Sequence, residues 1–135
     1  MARSFTILAL IFLAFAARQA CGGTSAQESP VGDWRGQSVC QVRPSACHDE
    51  ESLYHVTAAA SKPGTFEMQA DKIVEGKPVT MGTSPCTYDT ARHLLACPLP
   101  NGAVIQLEMR GNEMHGTMKL KDGALWRKID LKKQS

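Results

Sequence analysis

Apolar and polar residues alternate with a period of two over much of the chain after Val31. The pattern is clearest in three runs, at 66–71, 103–110 and 114–120. Such alternation buries every second side chain and is typical of antiparallel β-strands with one face in water. No window carries an apolar stripe at helical spacing for more than about two turns. The pattern therefore predicts an all-β protein.

Short turn sequences separate the alternating runs. These sequences are Glu75-Gly76-Lys77, Pro100-Asn101-Gly102, Gly111-Asn112 and Asp122-Gly123. Asn-Gly and Asp-Gly accept the positive φ angles that tight hairpins require. Strands joined by turns this short must be antiparallel.

The turns divide the chain into about eight predicted strands. Their predicted bounds are 31–40, 52–60, 64–74, 78–84, 86–90, 93–99, 103–110 and 113–131. The last run is divided at Asp122-Gly123. The fourth and fifth runs form either two strands or one bent strand. This predicts an up-and-down meander that forms a small barrel or a strongly curled sheet, because closure removes exposed edges. We assign 31–135 to one such domain.

An apolar run at 5–17 follows Arg3 and is too short to span a bilayer as a mature helix. It predicts an export signal at 1–20 and a flexible tether at 21–30. Cleavage has two candidate routes. One lipidates Cys21, although Arg18 and Gln19 depart from a lipobox; the other cuts after Thr24-Ser25-Ala26. Both routes place the domain in the bacterial periplasm, on the outer membrane if it is lipidated, or outside the cell.

Export changes the expected chemistry of the remaining cysteines, which are Cys40, Cys47, Cys86 and Cys97. In an oxidising compartment, four cysteines are most simply two disulfides, with three connectivities. A turn centred on Ala91-Arg92 places Cys86 opposite Cys97, within disulfide reach on a hairpin. The short separation of Cys40 and Cys47 indicates a bridged loop. The spacing therefore favours one disulfide between Cys40 and Cys47 and a second between Cys86 and Cys97.

Charge argues against one class of partner. The full chain carries a net charge of +2, and removal of Arg3 and Arg18 leaves 13 basic and 13 acidic residues. A neutral domain lacks the basic footprint of a nucleic-acid-binding protein. We therefore expect no nucleic acid partner.

The polar run His48-Asp49-Glu50-Glu51 is the densest cluster of candidate chemistry. Its spacing to the cysteines matches no compact zinc motif, and disulfides would consume the thiolates. The carboxylates lack the contrasting environments that general acid–base catalysis needs. We expect no catalytic residues, no metal and no cofactor, and we interpret these four residues as a candidate surface for a protein partner.

Gly32-Asp33-Trp34 opens the first predicted strand, and Arg127 lies on the last one. This arrangement resembles lipocalin-like proteins, in which a Gly-x-Trp motif begins the first strand and a basic residue near the end of the last strand covers the tryptophan. The resemblance implies a barrel floor formed by Gly32, Trp34 and Arg127. The chain length, the Gly-x-Trp opening and Cys40 also resemble small bacterial β-barrel inhibitors of secreted proteases.

The sequence thus favours a non-catalytic exported binding protein, a lipocalin-like binder of a small apolar or amphipathic ligand. The alternatives are a protein-binding module, such as an inhibitor of a secreted hydrolase, or a structural envelope protein. We expect a monomer whose partner is a small apolar ligand or a secreted or envelope protein. A void lined by small inward residues would favour the first function, and a filled interior with a rigid loop at 41–47 the second.

Overall fold

The computed structural model of the chain describes residues 28–135. Eight antiparallel strands follow one another in chain order around a closed barrel. The strands are β1 (Gly32–Cys40), β2 (Glu50–Ala58), β3 (Thr65–Val74), β4 (Lys77–Asp89), β5 (Leu94–Pro98), β6 (Val104–Arg110), β7 (Glu113–Lys119) and β8 (Leu125–Lys133). β8 pairs with β1 and closes the barrel. The predicted all-β antiparallel meander is therefore confirmed, in its barrel form.

The predicted export signal, the candidate lipidation site Cys21 and most of the tether lie outside the described residues and stay predictions. Within 28–135, no helix has the length and apolar character needed to cross a membrane.

The predicted fourth and fifth strands are one strand, β4, which is 13 residues long. A register shift opposite Ala70 and Asp71 bends it, as a β-bulge does. The last predicted run is divided between β7 and β8, as expected. Gly102 and Gly123, in the Asn-Gly and Asp-Gly turns, have φ angles of 83° and 87°. A residue with a Cβ would be strained at these angles, which explains the glycines.

Both predicted disulfides are confirmed. Cys40–Cys47 closes the loop that follows β1, and Cys86–Cys97 joins β4 to β5 inside the core. Each short loop closure stabilises the fold by roughly 2–3 kcal/mol in the chain-entropy model. That is a large share of the stability of a small domain.

Large apolar side chains fill one half of the barrel, which we call the closed end. Those that are almost fully buried are Trp34, Val56, Met68, Leu95, Leu107, Met114, Ile129 and Leu131. The closed end includes the hairpins β2–β3, β4–β5 and β6–β7. Trp34 is 0% exposed, and its Nε1 donates a 2.9 Å hydrogen bond to the carbonyl of Pro30.

The cation over Trp34 is Lys133, whose Nζ lies 5.3 Å from the ring centroid. The expectation that Arg127 covers Trp34 is wrong. On β8, Lys133 pairs with Trp34, whereas Arg127 pairs with Cys40 at the other end of β1. Six residues of extended strand separate the two positions by about 20 Å. Of the three residues expected to form the barrel floor, Gly32 and Trp34 lie at the closed end, whereas Arg127 lies at the other end of the barrel.

We predict that Trp34→Ala lowers the free energy of unfolding by about 3–5 kcal/mol, the usual cost of truncating a buried aromatic side chain. Trp126→Ala is the matched control, because Trp126 is only half-buried. It should cost clearly less. Urea denaturation of both variants measures the difference, and equal losses would contradict a core centred on Trp34.

Candidate ligand-binding site

The other half of the barrel, which we call the open end, contains a cavity of about 490 Å³. Small side chains face it from the first four strands, where the closed end has large ones. These residues are Ser38, Ser52, Ala70, Gly82 and Ser84. Because small side chains cannot meet across the axis, they leave a space where the closed end has packed side chains.

The remaining wall is largely apolar. It is formed by Tyr54, Leu99, Ile105 and Met118, with Met81, Pro100 and Trp126 towards the rim. Burial raises the pKa of the Tyr54 phenol to about 12, against the smaller effect of a hydrogen bond with Ser52. The hydroxyl is protonated at neutral pH, as in any phenol of ordinary pKa, and has a hydrogen to donate. Apolar walls with a few placed polar groups are typical of small-molecule sites.

Arg127 lies in the wall of this cavity and pairs with Glu50. One guanidinium nitrogen is 2.8 Å from Glu50 Oε1, and the side chains are 13% and 21% exposed. The second terminal nitrogen, Nη1, donates hydrogen bonds of 2.9 Å to the carbonyl of His48 and 3.3 Å to the carbonyl of Ser38. Arg127 therefore neutralises a half-buried carboxylate and holds the chain that enters β2.

The loop between Cys40 and Glu50 is held by a hydrogen bond, an ion pair and a disulfide. Asp49 accepts a 2.9 Å hydrogen bond from the backbone NH of Cys40 and forms an ion pair with Arg43. The disulfide to Cys47 closes the same loop. Residues 43–46 nevertheless stay exposed. The loop is thus fixed in position beside the cavity while its tip faces solvent.

The predicted partner surface at 48–51 is organised differently from the expected free acidic cluster. Its three carboxylates pair with three different arginines: Asp49 with Arg43, Glu50 with Arg127, and Glu51 with Arg35 at 2.6 Å. Glu50 points into the barrel, whereas His48 is exposed. These pairs balance the local charge, and a partner-binding role for the cluster stays a prediction.

Sequence reasoning missed the cavity serines, Tyr54 and Lys72. A signal was present in the alternation itself. If the period of two is carried through β1 to β4, the inward positions at one end are Ser38, Ser52, Ala70 and Ser84. A run of small residues at inward positions indicates a void.

Two histidines on the outer face of the barrel each bind two carboxylates. His55 Nδ1 lies 2.7 Å from Asp33, and its Nε2 lies 3.3 Å from the buried Asp71. His115 is arranged in the same way, 2.7 Å from Asp130 and 3.3 Å from Glu113. Both ring nitrogens are therefore engaged, and the clusters stabilise cross-strand pairs on the outside of the barrel.

Comparison of the chain with protein-family models, with curated proteins and with solved structures gave no match. Its function therefore has to be inferred from the chemistry of the barrel.

We predict that the two histidine clusters make stability fall as the pH rises above 6.5, the ordinary pKa of histidine. The hydrogen bond with Asp33 raises the pKa of His55, and the bond with Asp130 raises the pKa of His115, both from an ordinary value of 6.5. A raised folded-state pKa stabilises the fold fully below the ordinary pKa, and this contribution is lost as pH rises through the folded value. Urea denaturation at pH 5.5 and pH 8.5 measures the loss.

His55→Gln and His115→Gln should each reduce the difference between the two pH values. His48→Gln is the control, because among residues 28–135 no carboxylate forms an ion pair with it. A pH dependence identical in all four proteins would refute the assignment.

Proposed function

We propose that the protein is a non-catalytic, exported, lipocalin-like binder of a small apolar or amphipathic molecule. The observation that carries this proposal is the cavity of about 490 Å³ inside the open end of the barrel. Ligand sites are typically clefts of about 300–1,000 Å³ lined mainly by apolar side chains. The cavity fits this range and this composition.

The lipocalin-like resemblance gains support at the closed end. An eight-stranded closed meander begins with Gly32 and Trp34, and a basic residue of the last strand, Lys133, lies over the indole. The covering cation differs from the one expected, but the arrangement is the same. A closed barrel has no free strand edge, which also favours a monomer.

Export is supported by the two disulfides, which persist in oxidising compartments. We assign the protein to the bacterial periplasm, to the outer membrane if Cys21 is lipidated, or to the extracellular space. In each location the cavity would be accessible to molecules outside the cytoplasm.

Gly82→Leu tests the binding function directly. An added Cβ at Gly82 meets no atom within 4 Å, so a leucine there should enter the cavity without moving the backbone. We expect binding of the neutral fluorescent probe N-phenyl-1-naphthylamine to weaken about tenfold or more, since about 1.4 kcal/mol of lost contact gives tenfold.

Thr87→Leu is the matched control, because Thr87 lies on the same strand and is exposed on the outer face. Its probe affinity should equal that of the unmodified protein, and thermal unfolding should show that both variants are folded. Failure of the unmodified protein to bind the probe, or equal binding by Gly82→Leu, would refute cavity binding.

A second candidate function, inhibition of a secreted hydrolase, is favoured by one observation. The loop at 41–47 has an exposed tip but is fixed by a disulfide and by the Asp49 contacts. A rigid exposed loop loses little conformational entropy when a partner binds it.

Ala46→Asp and Ala91→Asp distinguish the two functions, because both alanines are exposed and lie at opposite ends of the barrel. If the loop contacts a protease, inhibition in a panel of secreted endopeptidases should be lost in Ala46→Asp and kept in Ala91→Asp. Inhibition that is unaffected by Ala46→Asp, or absent in the unmodified protein, would argue against this second function.

A further inference from the structure

Among the residues that the structure describes, the rim of the cavity carries one cation outside any ion pair. Lys72 lies on β3 opposite Ser52, and its half-buried side chain lines the cavity. Among residues 28–135, no carboxylate lies within 4.0 Å of its ammonium group, whereas Arg127 is paired with Glu50. Lys72, Arg127 and Glu50 together therefore carry one net positive charge.

The neighbouring carboxylate of Asp71 does not compensate Lys72. It accepts a 3.1 Å hydrogen bond from Gln69 Nε2 and lies 3.3 Å from His55 Nε2. Both partners belong to the outer face of the barrel. Asp71 also belongs to the cavity lining. Its carboxylate nevertheless contacts Gln69 and His55 and forms no ion pair with Lys72.

Apolar surface adjoins Lys72 on both sides. Ala70 is the preceding inward residue of β3, and it lines the cavity together with Ile105 and Met118. On the rim, Val79 pairs with Lys72, and Val79 and Met81 are 44% and 60% exposed. An occupant with an apolar body and a head group at Lys72 would cover these side chains.

We infer that the cavity binds an amphiphile with a single anionic head group, which pairs with Lys72 at the rim while its apolar body lies among Ala70, Ile105 and Met118. This inference rests on the proposed function. A carboxylate and a phosphate monoester share the required chemistry. An ammonium–anion pair at a half-buried rim is charge-assisted and stronger than a neutral hydrogen bond.

Displacement of N-phenyl-1-naphthylamine by C12 amphiphiles below their micellar concentrations tests this inference. The probes are dodecanoate, monododecyl phosphate, 1-dodecanol and dodecyltrimethylammonium. Lys72→Gln removes the cation, and Lys77→Gln removes the same charge from an exposed position on the same hairpin. We expect Lys72→Gln to weaken binding of the anionic probes about tenfold, as for loss of a hydrogen bond to a charged group.

Lys77→Gln should bind every probe like the unmodified protein, and neither variant should change the affinity for 1-dodecanol. The tighter of the two anionic probes identifies the head group. Equal binding of anions by Lys72→Gln and the unmodified protein, or binding of the cationic probe as tightly as the anions, would overturn the inference. The proposed function fails separately. It stands if the unmodified protein binds the fluorescent probe and Gly82→Leu does not, even when the result with Lys72→Gln overturns the inference. It fails if the unmodified protein does not bind the probe.

Discussion

Backbone pairing between β1 and β8 closes the barrel, and the other features of the molecule depend on that closure. Seven residue pairs join the strands, from Trp34 with Lys133 to Cys40 with Arg127. The strands approach so closely at Gly36 that a Cβ there would collide with the carbonyl of Asp130. Closure gives both terminal strands hydrogen-bond partners and makes alternate residues converge on a common interior. Without it the same sequence would have a sheet with two faces and no cavity.

Side-chain size divides that interior into a packed half and a half that contains the cavity. At the closed end, Trp34 and Met114 are fully buried and belong to one continuous apolar cluster. At the open end, Ser38, Ser52 and Ser84 occupy inward positions where larger apolar residues would fill the barrel. Burial of apolar area at the closed end stabilises the fold. The open end can therefore keep an unfilled volume, because the stability of the barrel does not depend on filling it.

The features that sequence predicted are those encoded by neighbouring residues. A period of two identifies strands, Asn101-Gly102 and Asp122-Gly123 identify turns, and a hairpin centred on Ala91-Arg92 places Cys86 opposite Cys97. Each of these inferences needs only a few consecutive residues. Because the strands form a simple meander, local information was enough to predict the architecture.

The side-chain pairings that sequence missed depend on register around the whole barrel. Which cation covers Trp34 is decided by the pairing of β1 with β8, strands at opposite ends of the described chain. Lys133 and Arg127 are both basic and both on β8, so composition cannot distinguish them. The partners of Glu50 and Glu51 are likewise arginines on other strands, Arg127 and Arg35. Sequence therefore predicted an acidic surface, where the fold forms balanced pairs.

Arg127 connects the two surfaces that are candidates for binding. Its guanidinium pairs with Glu50 in the cavity wall and donates to the carbonyl of His48, where the disulfide loop returns to β2. Removing one partner of this half-buried ion pair would leave the other charge without compensation. The positions of the loop and of the cavity wall are thus set by the same side chain. The base of the loop and the wall of the cavity therefore share one contact residue, Arg127.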